Sequence, residues 1–80
     1  MTICNNIGLW RNIMNKLPER LKELREEKGL NQTEFGKLIN VSQPTIARWE
    51  AGERVPSLEI LIILAKFFKC SIDYLVGLED

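Results

Sequence analysis

Apolar residues recur at intervals of three and four along most of the chain, in blocks separated by glycine, proline, serine or asparagine. This period is typical of helices that bury one side, and no block shows the alternation of a strand. We therefore predict an all-α fold of five helices. The first, fourth and fifth helices cover about residues 18–29, 57–68 and 71–77, respectively. The core stripe of the fourth helix is expected to be Leu58, Leu61, Leu64, Ala65 and Phe68.

The second predicted helix begins at Gln32, because Asn31 and Glu34 have the spacing of a capping box. Asn40 ends it, since asparagine tolerates a left-handed backbone. Its expected core residues are Phe35, Leu38 and Ile39. Gly36 costs the helix roughly 1 kcal/mol relative to alanine. We interpret this glycine as a site where another helix approaches closely.

The third predicted helix runs from Gln43 to about Ala51, with Ser42 as its cap and Gly52 after its end. At about 100° per residue, Trp49 and Glu50 lie beside the core on the side of Ile46. The opposite side carries Pro44, Ala47 and Arg48, and Gln43 projects from the first turn. An outer face with a glutamine, a small residue and an arginine either contacts another molecule or is only exposed to solvent.

The order of these residues resembles the phage-repressor and Cro type of helix-turn-helix domain, also called the xenobiotic-response-element family. The resemblance covers roughly residues 17–77, and it implies a compact five-helix domain like that of lambda repressor. Asn40 departs from the family pattern, because many relatives have glycine there, although asparagine is conformationally compatible. At Gly36 alanine is usual, and glycine keeps the requirement for a small residue but weakens the helix. The matching residues are Gln32, Gly36, Val41, Ser42, Ile46, Arg48, Trp49, Glu50, Gly52, Pro56, Ser57 and Leu58.

In such domains the second helix of the motif enters the major groove of DNA. The base-facing positions correspond to Gln43, Pro44, Ala47 and Arg48. Arg48 suits guanine O6 and N7, and Gln43 suits adenine N6 and N7. Pro44 and Ala47 offer apolar contact, such as to a thymine methyl group.

The resemblance also implies contacts with the DNA backbone and one structural ion pair. Gln32 matches a phosphate-contacting glutamine at a helix start, where the free amides favour an anion. The other expected backbone contacts are Thr45, Trp49 and Arg54. Each of these three residues also has an interpretation without DNA. Thr45 is equally compatible with an ordinary position on the helix surface, and Trp49 with a position at the edge of the core. Arg54 is compatible with a charge that is only solvated. Glu50 is expected to pair with Arg25 on the first helix.

The charge balance limits what this surface can do. The net charge is zero, and residues 31–56 carry three basic and three acidic side chains. The sequence therefore lacks the basic footprint of many nucleic-acid-binding proteins. We expect modest nonspecific affinity for DNA that is lost at moderate salt.

A second apolar surface is predicted on the fourth helix, at Ile60, Ile63 and Phe67. It suits a partner subunit or the N-terminal extension, residues 1–16. That extension is either a helix or arm docked on the fourth helix, in the same or the neighbouring subunit, or a disordered leader. Met14 also fits an alternative start, and residues 78–80 form a short tail. The helical stripe of the extension is Ile3, Ile7, Trp10, Met14 and Leu17.

The composition argues against several kinds of chemistry. There is no histidine, and Cys4 and Cys70 lack metal-ligand spacing, so we expect no metal and no cofactor. No arrangement of nucleophile, base and orienting residue indicates an enzyme. The chain is not expected to carry a signal peptide or a membrane span, which favours a reducing, cytoplasmic setting.

The leading functional hypothesis is a sequence-specific regulator that binds double-stranded DNA. We expect a repressor that occludes a promoter as a homodimer, on a palindromic operator with half-sites about one helical turn apart. The alternative is a protein-interaction regulator on the same scaffold, such as an antitoxin-like subunit with a protein partner. The two hypotheses are compatible with each other.

Overall fold

The computed structural model describes residues 16–78. All regular structure within that range is helical, so the predicted all-α fold of five helices is confirmed. The first helix begins two residues before Pro18. The helices are α1 (Lys16–Glu27), α2 (Gln32–Ile39), α3 (Gln43–Ala51), α4 (Leu58–Phe68) and α5 (Ile72–Val76). Most residues of the apolar stripe proposed for the N-terminal extension lie outside the described residues, and only Leu17 lies within them. The alternative start at Met14 and Cys4 also lie outside the described residues.

Local capping defines where the helices begin. The side chain of Asn31 accepts a hydrogen bond from the amide of Glu34 at 2.7 Å, and the carboxylate of Glu34 accepts one from the amide of Asn31 at 2.9 Å. The predicted capping box is therefore confirmed. Ser42 stands at the N-cap of α3 but makes no side-chain bond to a helix amide. Its hydroxyl lies 2.8 Å from the hydroxyl of Thr45 instead.

The core lies where all five helices meet. Helix α3 packs against α1 and α2, and α5 packs against α1 and α4. Phe35 is at its centre, with ring centroids 5.6 Å from Phe67 and 5.4 Å from Phe68. Burial of such large apolar side chains is the main stabilising contribution in a small domain. The largest fully buried residues are Leu17, Leu21, Phe35, Ile46, Leu64 and Leu75.

Two residues assigned to the core are exposed. Leu38 is 60% exposed, because the buried arc of α2 runs from Phe35 through Ile39 to Gly36 and leaves Leu38 to one side. Leu58 is 66% exposed, because it is the first residue of α4 and the buried stripe begins one turn later, at Leu61. The predicted inward orientation of Leu38 and Leu58 was wrong.

The close approach of backbone predicted at Gly36 is present, although the turn after α2 approaches more closely than the next helix does. A Cβ atom at this position would lie 2.3 Å from the backbone oxygen of Val41, in that turn, and 3.7 Å from the backbone nitrogen of Gln43, the first residue of α3. The amide of Val41 donates to the carbonyl of Gly36 at 2.7 Å, and Asn40 adopts the expected left-handed conformation with φ of 61°. The glycine therefore allows the chain to turn tightly from α2 into α3.

Candidate nucleic-acid interface

Helix α3 presents one face to solvent and buries the other. Ile46 and Trp49 are buried, whereas Gln43, Pro44 and Arg48 are exposed and Ala47 is half-buried. Pro44 lies in the first turn, where its missing amide removes no helical bond. The helix ends at Gly52, whose φ of 78° is left-handed. Three of the four side chains expected to face bases are therefore exposed on a well-delimited helix, and the fourth, Ala47, is half-buried.

An ion pair attaches the inner side of α3 to α1. Arg25 Nε donates to Glu50 Oε2 at 2.7 Å, and Arg25 Nη2 donates to Glu50 Oε1 at 3.0 Å. The side chains are 10% and 4% exposed, respectively. Arg25 Nη1 also donates to the carbonyl of Leu30 at 2.7 Å. The expected Arg25–Glu50 contact is thus present, in the bidentate geometry that arginine forms with carboxylates.

The electrostatic environment keeps Arg25 charged. The hydrogen bond to the carboxylate of Glu50 raises the pKa of Arg25 above its ordinary value; desolvation by burial opposes this shift but does not overcome it. Arg25 therefore remains a cation throughout the neutral and mildly alkaline range. Every buried side-chain nitrogen and oxygen among residues 16–78 has a hydrogen-bond partner, so the pair is compensated.

Two glutamines continue this network to the surface. Gln32 Nε2 donates to Glu50 Oε1 at 3.0 Å, and Gln43 Nε2 donates to Gln32 Oε1 at 2.7 Å. Gln32 is at the start of α2 and Gln43 at the start of α3. The sequence indicated a role for each of these residues separately. It gave no sign that they touch, because they lie eleven positions apart in different helices and no local spacing connects them.

A shallow cleft of about 250 Å³ flanks the exposed face of α3. It gathers three of the residues expected to contact the DNA backbone, Thr45, Trp49 and Arg54, next to Arg48. Gln32 is not part of its lining. Trp49 is mainly a core residue, and only its edge reaches the cleft. The lining also includes Val55, an exposed residue for which the sequence indicated no role.

The three residues of the second apolar surface expected on α4 differ in their exposure to solvent. Phe67 is half-buried, since its ring packs on Phe35 and Phe68 and lies 5.2 Å from the ammonium group of Lys28. Ile60 is also half-buried, whereas Ile63 is 43% exposed. The exposed large apolar residues of α4 are Leu58, Ile62 and Ile63. The apolar surface therefore lies farther from the core than the sequence pattern indicated.

Other kinds of site have little support within residues 16–78. No cluster of three or more potential ligands could hold a metal ion there. None of the described helices has the length and apolar character needed to cross a membrane. Cys70 is half-buried and packs against the core, as expected for a small residue between helices.

Comparison with known proteins gives consistent matches over the helical region. A family model described as helix-turn-helix matches residues 21–75. The chain is 37% identical over 62 residues to the HTH-type transcriptional activator BcrR of Enterococcus faecalis, covering 78% of this chain and 30% of BcrR. It is 38% identical over 58 residues to repressor protein C2 of Salmonella phage P22, covering 72% of this chain and 27% of that protein.

A solved structure is similar as well. The DNA-binding domain of the P22 C2 repressor, residues 1–76 in solution, superimposes with a TM-score of 0.69 and 36% identity. The match covers 76% of this chain and 80% of that domain. The chain thus spans about 30% of the two curated relatives described above. The extent of the family match and the agreement in fold lead to one conclusion: this chain belongs to the helix-turn-helix family of the phage-repressor and Cro type.

Proposed function

We propose that this protein is a sequence-specific regulator of transcription that binds double-stranded DNA through α3. The observation that carries the proposal is the outer face of α3, where Gln43 and Arg48 are exposed while the ion pair of Glu50 attaches the inner face to the scaffold. A helix of this size fits the major groove, where each base pair shows a distinct pattern of donors and acceptors. We assign DNA binding to residues 17–77.

In this proposal some side chains contact bases and others contact phosphates. Arg48 can donate two hydrogen bonds to guanine, and Gln43 can pair with adenine. Pro44 and Ala47 add apolar contact close to the groove floor. We expect Arg54 and Thr45, which line the cleft beside α3, to contact phosphates, together with the cleft edge of Trp49. Gln32 supplies a further phosphate contact at the start of α2.

The neutral charge balance predicts how the affinity depends on salt. Residues 31–56 carry Lys37, Arg48 and Arg54 against three glutamates. Few phosphates are then neutralised, and binding to random DNA should be weak and easily lost as salt is added. Selectivity must therefore come mainly from base contacts and from the shape of the duplex.

We further propose that the protein acts as a repressor. In this view a homodimer covers a promoter on a palindromic operator whose half-sites lie about one helical turn apart. The proposed location is the cytoplasm. The P22 relative is named a repressor, whereas the Enterococcus relative is named an activator. Occlusion requires only a bound domain, and so it is the simpler of the two mechanisms.

A second candidate function has one observation in its favour. Leu58, Ile62 and Ile63 leave an apolar surface on α4 exposed to solvent. Surfaces of this kind often mark sites of protein association. The protein could therefore also be a protein-interaction regulator, in the manner of an antitoxin-like subunit, with its partner on α4 and DNA on α3.

Selection of bound duplexes from a random DNA pool tests the main proposal. We expect the selected sequences to share a motif with two inverted half-sites, and we expect the motif to hold at several salt concentrations while total affinity falls. The slope of log affinity against log salt gives the number of phosphate contacts. A pool that remains random after repeated selection would overturn the proposal.

A further inference from the structure

The outer face of α4 combines two isoleucines with two opposite charges. Ile62 and Ile63 are 39% and 43% exposed, and Glu59 and Lys66 are exposed as well. The four positions have the i, i+3, i+4, i+7 spacing that places residues on one face of a helix. Neither charge has an ion-pair partner among residues 16–78. Both charges are therefore available to a molecule that covers this face.

The four residues are arranged symmetrically along the helix. Glu59 precedes the midpoint between Ile62 and Ile63 by the same distance as Lys66 follows it, and the two charged positions are about 10 Å apart at 1.5 Å per residue. If a second α4 runs antiparallel to the first, with a two-fold axis at this midpoint, Glu59 of each copy faces Lys66 of the other. In a parallel pair each charge would instead face its like. The charges are thus self-complementary in one orientation only.

The two isoleucines would lie at the centre of such a pair. A two-fold axis brings each isoleucine against its own counterpart, because a symmetric interface uses the same patch on both subunits. Burial of their exposed apolar surface drives the association, and the flanking charges select the antiparallel direction. The net charge of the chain is zero, so the two copies have little overall repulsion to overcome.

This arrangement favours a second copy of the chain over an unrelated partner. An unrelated protein requires an apolar surface, but it does not require opposite charges at equal distances from the centre of that surface. We propose that two α4 helices pack antiparallel through Ile62 and Ile63, with Glu59 and Lys66 paired at both ends. This inference rests on the homodimer of the proposed function and identifies its contact surface. Its two-fold symmetry matches that of a palindromic operator.

The size of the contact predicts its strength. Each α4 has 11 residues, whereas stable interfaces bury about 1,200–2,000 Å² in total, more than one pair of short helices supplies. The dimer should therefore be weak in the free protein and dissociate on dilution. Two adjacent half-sites raise the effective concentration of one copy for the other. Binding to a full operator should accordingly be cooperative.

Exchange of the two charges tests the interface. Glu59→Lys and Lys66→Glu each place like charges at both ends, so each should weaken self-association about tenfold or more in sedimentation experiments at low salt. An equimolar mixture of the two variants forms opposite pairs again and should associate like the wild type. Glu23→Lys and Lys22→Glu are the controls, since they change the net charge equally on the exposed side of α1.

Two results would overturn the inference while leaving a homodimer in place. One is single variants that dimerise as well as their controls, and the other is a mixture that associates no better than the single variants. A wild-type protein that is monomeric both free and on DNA would also overturn it, and the N-terminal extension or another protein would then cover α4. Selection of a motif with a single half-site would in that case leave DNA recognition intact, whereas a random pool would remove the proposed function as well.

Discussion

Arg25 of α1 and Glu50 of α3 are joined by two hydrogen bonds of 2.7 and 3.0 Å, in a pair almost closed to solvent. The contact connects the scaffold to the helix whose outer face carries Gln43 and Arg48. Removal of one partner leaves the other as an uncompensated buried charge, which is more costly than loss of the pair as a whole. The orientation of α3 therefore depends on both residues.

We first predict that Glu50→Ala destabilises the fold by about 3–5 kcal/mol, because the charge of Arg25 remains buried without its acceptor. Urea unfolding followed by circular dichroism measures this loss. Glu53→Ala is the matched control, since Glu53 is exposed and surface changes usually stay within about 0.5 kcal/mol. A Glu50 variant as stable as the control would contradict the structural role of the pair.

The second prediction concerns the sign of a change at Gly36. Helix propensity alone predicts that Gly36→Ala stabilises α2 by roughly 1 kcal/mol. The 2.3 Å approach of the Val41 oxygen predicts instead a net loss of about 1–3 kcal/mol, because the turn must shift to admit a methyl group. Thermal unfolding distinguishes the two, with Lys37→Ala on the exposed side of α2 as the control. A raised melting temperature would show that the turn yields readily.

The third prediction separates base contacts from phosphate contacts. Arg48→Ala should lose discrimination at one base pair, at a cost of roughly 1–3 kcal/mol, with the helical spectrum unchanged. Arg54→Ala should weaken binding to all sequences about equally and lower the salt slope by about 1. Both residues line the same cleft, so they are closely matched. Unaltered operator selection by a folded Arg48 variant would remove that residue from the base-contacting set.

The fourth prediction tests the exposed surface of α4. Ile63→Glu should abolish self-association or capture of a protein partner while sparing the affinity of each subunit for a half-site, because a charge at this position opposes apolar contact. Leu38→Glu is the control, since Leu38 is an exposed apolar residue on a different helix. Light scattering of the free and DNA-bound protein gives the oligomeric state. A wild-type protein that is monomeric in both states would refute the homodimer.

The fifth prediction uses the end of α4. Lys69 adopts a left-handed backbone with φ of 57°, a conformation that costs most side chains roughly 1–2 kcal/mol. Lys69→Gly should therefore stabilise the protein by about 0.5–1 kcal/mol, after the greater freedom of glycine in the unfolded chain is taken into account. Asn40→Gly should gain less, because asparagine tolerates this conformation well. Equal gains at both positions would contradict this explanation.

The sequence predicted the features that depend on local chemistry. The capping box at Asn31, the left-handed end at Asn40 and the bounds of α3 are determined by a few neighbouring residues, and all are confirmed. Burial was predicted less well, because it depends on which helices lie opposite. Leu38 and Leu58 have the correct spacing for the core, but no described element covers them sufficiently.

The candidate site shows the same division. The outward orientation of Arg48 follows from counting around the helix, and the exposure of Gln43 follows from its place in the first turn. The contact of Gln43 with Gln32 depends instead on how α2 and α3 meet. The clash that a side chain at Gly36 would make with the carbonyl of Val41 likewise appears only after the turn is built. The DNA contacts of these residues stay predictions.

The tight connection from Gly36 through Val41 also bears on the energetics of association. Because the amide of Val41 and the left-handed Asn40 already hold α3 at a defined angle to α2, no segment of this region has to fold when a duplex arrives. Calorimetry should then record a heat-capacity change no larger than the contact area requires, without the excess that accompanies coupled folding.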